Sequence, residues 1–286
     1  MKNLSIIIPA YNEEKSIIEV INQLKNELMN LNLEYEILVV NDGSTDKTKN
    51  ILENFEGIKL INHPYNKGYG ASLKTGAKNA KYNWLLFFDG DGQHKIEYLE
   101  EFLKYTDEYD MIVGERIGWQ GPFLRQPGKK ILHWVANYLV EKKIPDINCG
   151  LRMIKRELYL KYLHILPNTF SASTTITMVF YKDGLNIKFV PITINKRVGQ
   201  STVRPRDAAK TLLLILRVIM LFNPLKFFMP ISFVSFILGV IIFLSQVSYY
   251  NEILVSKSVL LCWLSAIFLF SFGLLADQIA ALRRGG

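Results

Sequence analysis

Charge is missing from two stretches of this chain of 286 residues: no Asp, Glu, Lys or Arg lies from Phe227 to Tyr250 or from Ser258 to Ala276. Each run is long enough to cross a hydrocarbon core of about 30 Å as a helix. Two such runs in succession argue against the core helices of a soluble domain. Cysteine is scarce as well. Cys149 lies in the polar part and Cys262 inside the second apolar run, which excludes a disulfide-stapled scaffold and fits a reduced, cytosolic setting. No internal repeat or low-complexity segment is visible. The first apolar stretch, Leu4 to Pro9, is too short for a signal peptide and leads straight into polar residues. No nucleic-acid motif and no interleaving of aromatic and basic residues accompanies the net charge of +8, so no nucleic-acid partner is expected. The surplus is read as attraction to a membrane surface and to phosphate.

Lys and Arg placement predicts orientation. Lys188, Lys196, Arg197, Arg204, Arg206, Lys210, Arg217 and Lys226 precede the first run against one acid, Asp207, and Arg283 and Arg284 follow the second. The connection from Asn251 to Lys257 has one acid and one base. Excess positive charge stays on the cytoplasmic side, which predicts a multi-pass membrane protein with both termini and the polar domain cytoplasmic. The expected division is a domain over 1–206, an amphipathic juxtamembrane helix over 207–226, and spans over 227–250 and 258–280. An apolar hairpin can face lipid or pack on a neighbour's, so the bilayer and a homo-oligomer are both expected partners.

Along the polar part, short apolar runs alternate with helical periodicity. Leu4–Ile8, Glu36–Asn41, Lys59–Ile61 and Leu85–Phe88 read as strands. Ile17, Ile18, Ile21, Leu24 and Leu28 form one helical stripe. This alternation predicts an α/β fold, a doubly wound and mostly parallel sheet with helices on both faces. Further on, Asp110–Gly114 and Ile187–Ile194 read as strands, Ile131–Lys142 as a helix, and Pro145–Arg152 as a turn into a strand or helix. Gly68-x-Gly70 does not follow the first strand and lacks a third glycine at the spacing a dinucleotide site needs. It reads as turn chemistry at a helix start.

The fourth strand stops abruptly at Asp89-Gly90-Asp91-Gly92-Gln93-His94. Ligands of open α/β sheets bind beyond the carboxyl ends of the strands, and two like charges so close need a positive partner. A divalent cation such as Mg2+ or Mn2+ meets that need, with hard oxygen ligands and a shell completed by substrate phosphates. A lone Asp-x-Asp is more often a polar turn; its neighbours decide. Tyr11, Asp42 and Asp89 sit at three strand ends along one predicted edge.

Five segments together carry a resemblance: Leu4-Ser-Ile-Ile-Ile-Pro-Ala-Tyr-Asn-Glu13, Val40-Asn-Asp-Gly-Ser-Thr-Asp46, Asn66-x-Gly-x-Gly-Ala71, Asp89-x-Asp-x-Gln-His94 and Arg197-x-Gly-x-Ser201. The series resembles family-two glycosyltransferases of the GT-A fold. With the C-terminal hairpin, it is similar to polyprenyl-phosphate glycosyltransferases of the dolichyl-phosphate mannose synthase type. The likeness runs from Leu4 to about Val203. It implies that Pro9, Tyr11, Asn12, Glu13 and Asp42 line the nucleoside pocket, with Asp42 on base or ribose. The resemblance also implies that Gly68 and Gly90 belong to the nucleotide-sugar site. By the same likeness, Asp89, Asp91 and Gln93 hold metal and diphosphate, and Arg197 and Ser201 close over the phosphates. Two positions depart from the pattern. Asn41 stands where many relatives carry an aspartate, and Thr202-Val203-Arg204 follows Ser201 where many carry a lysine.

The implied donor is a nucleotide-diphosphate sugar of the UDP or GDP type, the implied acceptor a dolichyl or undecaprenyl phosphate, and the implied stereochemistry inversion. A phosphate monoester with a second pKa of about 6 is already a nucleophile at neutral pH, so no strong base is needed. The acceptor phosphate needs positive charge instead, and Arg116, Arg125, Lys129, Lys130 and Arg152 are the candidates. Asp146 is a candidate base or an orienting partner of Arg152. The alternatives are a transferase acting on a glycolipid or polysaccharide, and a non-catalytic nucleotide-binding membrane scaffold.

Overall fold

The computed structural model describes residues 3–31, 33–118, 126–195, 216–250, 253 and 255–285. Seven strands form one sheet in the order β3-β2-β1-β4-β6-β5-β7. They are β1 (Asn3–Ala10), β2 (Glu34–Asn41), β3 (Lys59–Asn62), β4 (Trp84–Phe87), β5 (Met111–Arg116), β6 (Arg152–Lys155) and β7 (Ile187–Ile192). All pairings are parallel except the two that β6 makes with β4 and β5. The sheet is thus mixed but mostly parallel, as the βα alternation predicts. β1 runs as a continuous apolar strand with Ile6, Ile7 and Ile8 fully buried, the signature of a strand covered on both faces.

The chain winds from β1 outward to β3, then returns to place β4 on the other side of β1. That reversal opens a crevice beyond the carboxyl ends of β1 and β4. Tyr11 follows one strand and Asp89 the other, so the winding brings the first and fourth motifs together. Crossover helices α1 (Ile17–Met29), α2 (Thr48–Glu53) and α3 (Tyr69–Asn79) connect the parallel strands, and α4 (Leu99–Lys104) follows β4. In α1 the buried stripe is Ile17, Val20, Ile21, Leu24 and Leu28. Ile18, expected in that stripe, is 45% exposed, and Val20 takes its place, as the i, i+3, i+4, i+7 rule allows.

The turn from Pro145 leads into β6, which inserts antiparallel between β4 and β5 with Phe87 opposite Arg152. Helices α6 (Arg156–Lys161) and α7 (Ala172–Lys182) follow.

A second compact unit contains residues 209–286 together with Trp134–Glu141, the end of helix α5 (Gln126–Val140). A boundary drawn only at 206 misses this second part. Lys226 Nζ donates to the Tyr138 carbonyl at 2.8 Å and pairs with Glu141 at 2.7 Å. Of the expected juxtamembrane helix, α8, residues 216–222 are helical, and 207–215 lie outside the described residues. Helices α9 (Pro224–Tyr250) and α10 (Lys257–Gly285) form the apolar hairpin. Only 11% and 22% of their most apolar windows are buried, the reverse of a soluble core. Ser232 Oγ donates to the Ala266 carbonyl at 2.8 Å and Ser235 Oγ to the Cys262 carbonyl at 3.0 Å. Hydroxyls in an apolar helix find partners across the pair in this way.

Candidate active site

Asp89 is held from two sides. The Tyr69 hydroxyl donates to Oδ1 at 2.9 Å and His94 Nε2 meets Oδ2 at 3.2 Å. Burial alone would raise this carboxyl, but the bonds from His94 and Tyr69 and the charge of Arg116 outweigh it, leaving the group below the usual carboxylate range. Burial and the neighbouring Asp89 push the Tyr69 hydroxyl well above its ordinary value, so it stays a donor at neutral pH. Asp91 Oδ1 accepts the Gln93 N–H at 3.1 Å, and Asp91 is buried. The Gly90 carbonyl accepts from Ser16 Oγ at 2.8 Å, tying the loop to the start of α1. The Gln93 carbonyl accepts from Asn195 N–H at 2.9 Å. Arg197 and Ser201 lie just beyond Asn195, outside the described residues.

Gly150 leaves the room that Asp89 occupies: a Cβ there would stand 2.2 Å from Asp89 Oδ2. With His94 and Tyr69 fixing the carboxylate, the collision is relieved by displacing it. Gly150→Ala is therefore expected to lower turnover about tenfold or more and, because the displaced carboxylate gives up its bonds from Tyr69 and His94, to lower the unfolding temperature as well. Kinetics and a thermal melt on the same preparation check this.

Beside the crevice, Tyr11 is 37% exposed at the end of β1. Pro9 follows the last pairing of β1 with β4, where a missing N–H leaves no ladder bond unmade on that side. Asn12 has φ +57°. Its Oδ1 accepts the Thr45 N–H at 2.8 Å, and its own N–H donates to Ser44 Oγ at 3.1 Å. The Glu13 N–H donates to Thr48 Oγ1 at 2.9 Å.

Asp42, expected on base or ribose, is buried and engaged with the protein. Oδ1 takes His63 Nδ1 at 2.6 Å and the Lys67 N–H at 2.9 Å, and Oδ2 takes the Gly68 N–H at 2.8 Å. His63 in turn meets Thr75 Oγ1 through Nε2 at 2.9 Å. This is a carboxylate that positions the 66–68 turn. Gly68, at φ +103°, allows that turn and lets Asn168 approach closely. The sequence reading missed His63; its one local signal is its place just after a strand. Asn41 is buried, with Nδ2 donating to Asn62 Oδ1 at 2.8 Å and Oδ1 accepting the Ser44 N–H at 3.1 Å.

Two expectations on the acceptor side need correction. Asp146 partners Arg116, not Arg152. The guanidinium donates through Nε to Oδ2 at 2.6 Å and through Nη2 to Oδ1 at 2.8 Å, a bidentate fork. Asp146 is desolvated, yet Arg116 pulls its carboxyl below the ordinary range, which makes it a poor base. Because the folded values of Asp89 and Asp146 are depressed, their stabilising contribution is complete above the unfolded value near 3.9. It is lost only as pH falls through the folded values, so both groups stay ionised at neutral pH.

Arg152, expected among the phosphate ligands, is 1% exposed. It donates to the carbonyls of Cys149 and Ser173 and to Thr177 Oγ1. Burial lowers its pKa from the ordinary value and pushes the Cys149 thiol up to about 12. Lys129 belongs to α5, Lys130 is exposed, and Arg125 is outside the described residues. Among the described residues no group of three or more His, Cys, Asp or Glu converges as a ready-made metal cage.

The model of Glycosyl transferase family 2 matches residues 5–163, which run from within β1 through β6 and include the Asp89–His94 loop. The chain belongs to this family. As a family 2 glycosyltransferase it is a sugar-transferring enzyme. Its hairpin matches a second model, the GtrB C-terminal hairpin, over residues 223–282, which supports membrane association. An uncharacterized protein of Methanocaldococcus jannaschii is 32% identical over 65% of this chain and 79% of its own length. A dolichyl-phosphate beta-glucosyltransferase of Trichomonas vaginalis is 30% identical over 68% and 67%. Among solved structures, glucosyl-3-phosphoglycerate synthase of Mycobacterium tuberculosis superposes with TM-score 0.60 at 20% identity, covering 76% of this glycosyltransferase and 79% of that chain. Mannosyl-3-phosphoglycerate synthase of Rubrobacter xylanophilus superposes with TM-score 0.61 at 16% identity, covering 76% and 72%. At those identities the likeness is one of fold.

Proposed function

We propose that this glycosyltransferase moves a sugar from a nucleotide diphosphate to a polyprenyl phosphate at the cytoplasmic membrane face, with inversion at the anomeric carbon. The observation that carries the reading is the coupling, in one chain, of an aspartate pair, Asp89 and Asp91, at a strand-end crevice to an apolar hairpin long enough to span a bilayer. A polyprenyl tail cannot leave the membrane, so its phosphate must be met at the surface. The relative named a dolichyl-phosphate beta-glucosyltransferase supports a lipid phosphate acceptor. Solved neighbours of the same fold were crystallised with Mn2+ and UDP-glucose, which supports a nucleotide-sugar donor and a divalent cation.

The donor set fits such an ion. Asp89 and Asp91 offer hard oxygens, and Asp89 is held ionised by its neighbours. Such a cation takes its remaining ligands from diphosphate and water. Asp89 and Asp91, with Gln93 beside them, would hold Mg2+ or Mn2+, and that charge would stabilise the departing nucleoside diphosphate. Arg197 and Ser201 are proposed to complete the phosphate contacts.

The nucleophile needs holding more than activation. A dianionic phosphate monoester attacks without giving up a proton, which agrees with the weak basicity of Asp146. Arg116, oriented by the Asp146 fork, is proposed to receive the acceptor phosphate and offset the repulsion between the two anions.

Detergent-solubilised protein, supplied with labelled UDP- and GDP-sugars, Mg2+ or Mn2+ and a polyprenyl phosphate, is expected to make a product that partitions into organic solvent. Label found only in water-soluble or polymeric material refutes the lipid-phosphate acceptor.

A further inference from the structure

Phe170 is 67% exposed outside the apolar hairpin, yet its position is built. Its ring stacks on Tyr69 with centroids 5.1 Å apart and planes 19° from parallel. Tyr69 is the residue whose hydroxyl holds Asp89. The segment carrying Phe170 is fixed by its neighbours: the Asn168 carbonyl accepts the Ala71 N–H at 3.3 Å, and Lys74 Nζ donates to Asn168 Oδ1 at 2.8 Å. Thr169 and Ser171 bond to each other through their hydroxyls at 2.8 Å. Gly68 and Gly70 admit this segment, because a Cβ at either would stand 2.3 Å from the carbonyl of Asn168 or Pro167. One face of the Phe170 ring is thus covered by the residue that holds Asp89, and the other is open.

We infer that Phe170, backed by Tyr69, is the platform on which the hexose ring of the donor lies. The inference rests on the proposed function and deepens it. With the diphosphate at Asp89 and Asp91, the next group along the donor is the sugar. A pyranose has a face of C–H groups and a rim of hydroxyls, so an open aromatic plane buries the face and leaves the rim for polar contacts. Ligand sites pair apolar and aromatic walls with a few polar groups in this way. The ring of Phe170 also selects: a sugar with an axial hydroxyl on the stacked face would sit poorly.

The test compares the affinities of full-length protein, by calorimetry with Mn2+ present, for UDP against UDP-glucose and for GDP against GDP-mannose. Phe170→Ala is expected to weaken the nucleotide sugar about tenfold, roughly 1.4 kcal/mol, and to leave the bare nucleoside diphosphate within about twofold. Phe170→Trp is expected to restore the sugar affinity and Phe170→Leu is not. Equal loss for nucleotide and nucleotide sugar would mean a base-stacking role and overturns the inference. So does an unchanged affinity, or an effect confined to the KM of the lipid acceptor. Wild-type protein that binds none of these nucleotides overturns the proposed donor site itself, and a wild type that binds while Phe170→Ala is silent overturns only the platform.

Discussion

Asp91→Ala is expected to reduce sugar transfer by about a thousandfold while the protein melts within about 2 °C of wild type. A nucleoside diphosphate leaves with growing negative charge, and deleting one electrostatic element that meets developing charge costs about 10²- to 10³-fold. Asp91 is proposed to act by holding the cation, so its loss removes more than one interaction. The alternative explanation is a misfolded turn, since Asp91 also accepts the Gln93 N–H. Asp91→Asn separates the two, because the amide oxygen still accepts that bond while the charge is gone. Both variants are expected to be inactive and folded. If Asp91→Asn works at the wild-type rate, the charge at 91 is not needed and the metal reading of the loop fails.

Asp89→Asn is a harsher change in its surroundings. An amide has one oxygen, and Asp89 meets both the Tyr69 hydroxyl and His94 Nε2. One of these would face the NH2 group, so activity and stability fall together and the variant says less about chemistry. Asp91→Asn, whose amide oxygen can keep the bond from the Gln93 N–H, is the more direct probe of charge.

The parts of the fold legible in the sequence are those whose signal is local. β1, β2 and β4 read as continuous apolar runs because both faces of the strands are covered, and the carboxyl end of each is marked by an abrupt polar change at Tyr11, Asp42 and Asp89. The hairpin was legible for the same reason, as two uncharged runs. What escaped were pairings set by distant segments. Asp146 and Arg116 lie 30 residues apart and meet only because β6 enters the sheet beside β5. Nothing near Asp42 in sequence announces its bonds from His63 and from the Lys67 and Gly68 amides. Tyr69 opens α3, yet its hydroxyl reaches Asp89, 20 residues on. Local patterning specifies where a strand ends; it does not specify which donors close around the carboxylate found there.

Arg152 is the sharpest instance, and it yields the second large effect. From sequence Arg152 is a candidate for the acceptor phosphate, but β6 is an interior strand and Arg152 stands opposite Phe87 within it. Its guanidinium joins the Cys149 carbonyl, next to Gly150, to Ser173 and Thr177 on α7. Arg152→Ala leaves a cavity and takes the donors from a buried carbonyl, each loss worth about 1–3 kcal/mol. The relief of a buried charge offsets part of this. A net loss of about 3 kcal/mol is expected, which for a domain of this size lowers the melting temperature by about 6–12 °C. Arg152→Met fills the space without restoring the donors and is expected to fall between alanine and wild type. Arg152→Lys keeps the charge but cannot fork to two carbonyls and is expected to be destabilised as well. Assayed well below its melting temperature, Arg152→Ala is expected to keep the acceptor KM within about twofold, since the guanidinium is buried and bonded to the protein. A raised acceptor KM with an unchanged melt would return Arg152 to the phosphate site and contradict its role as the strut between β6 and α7.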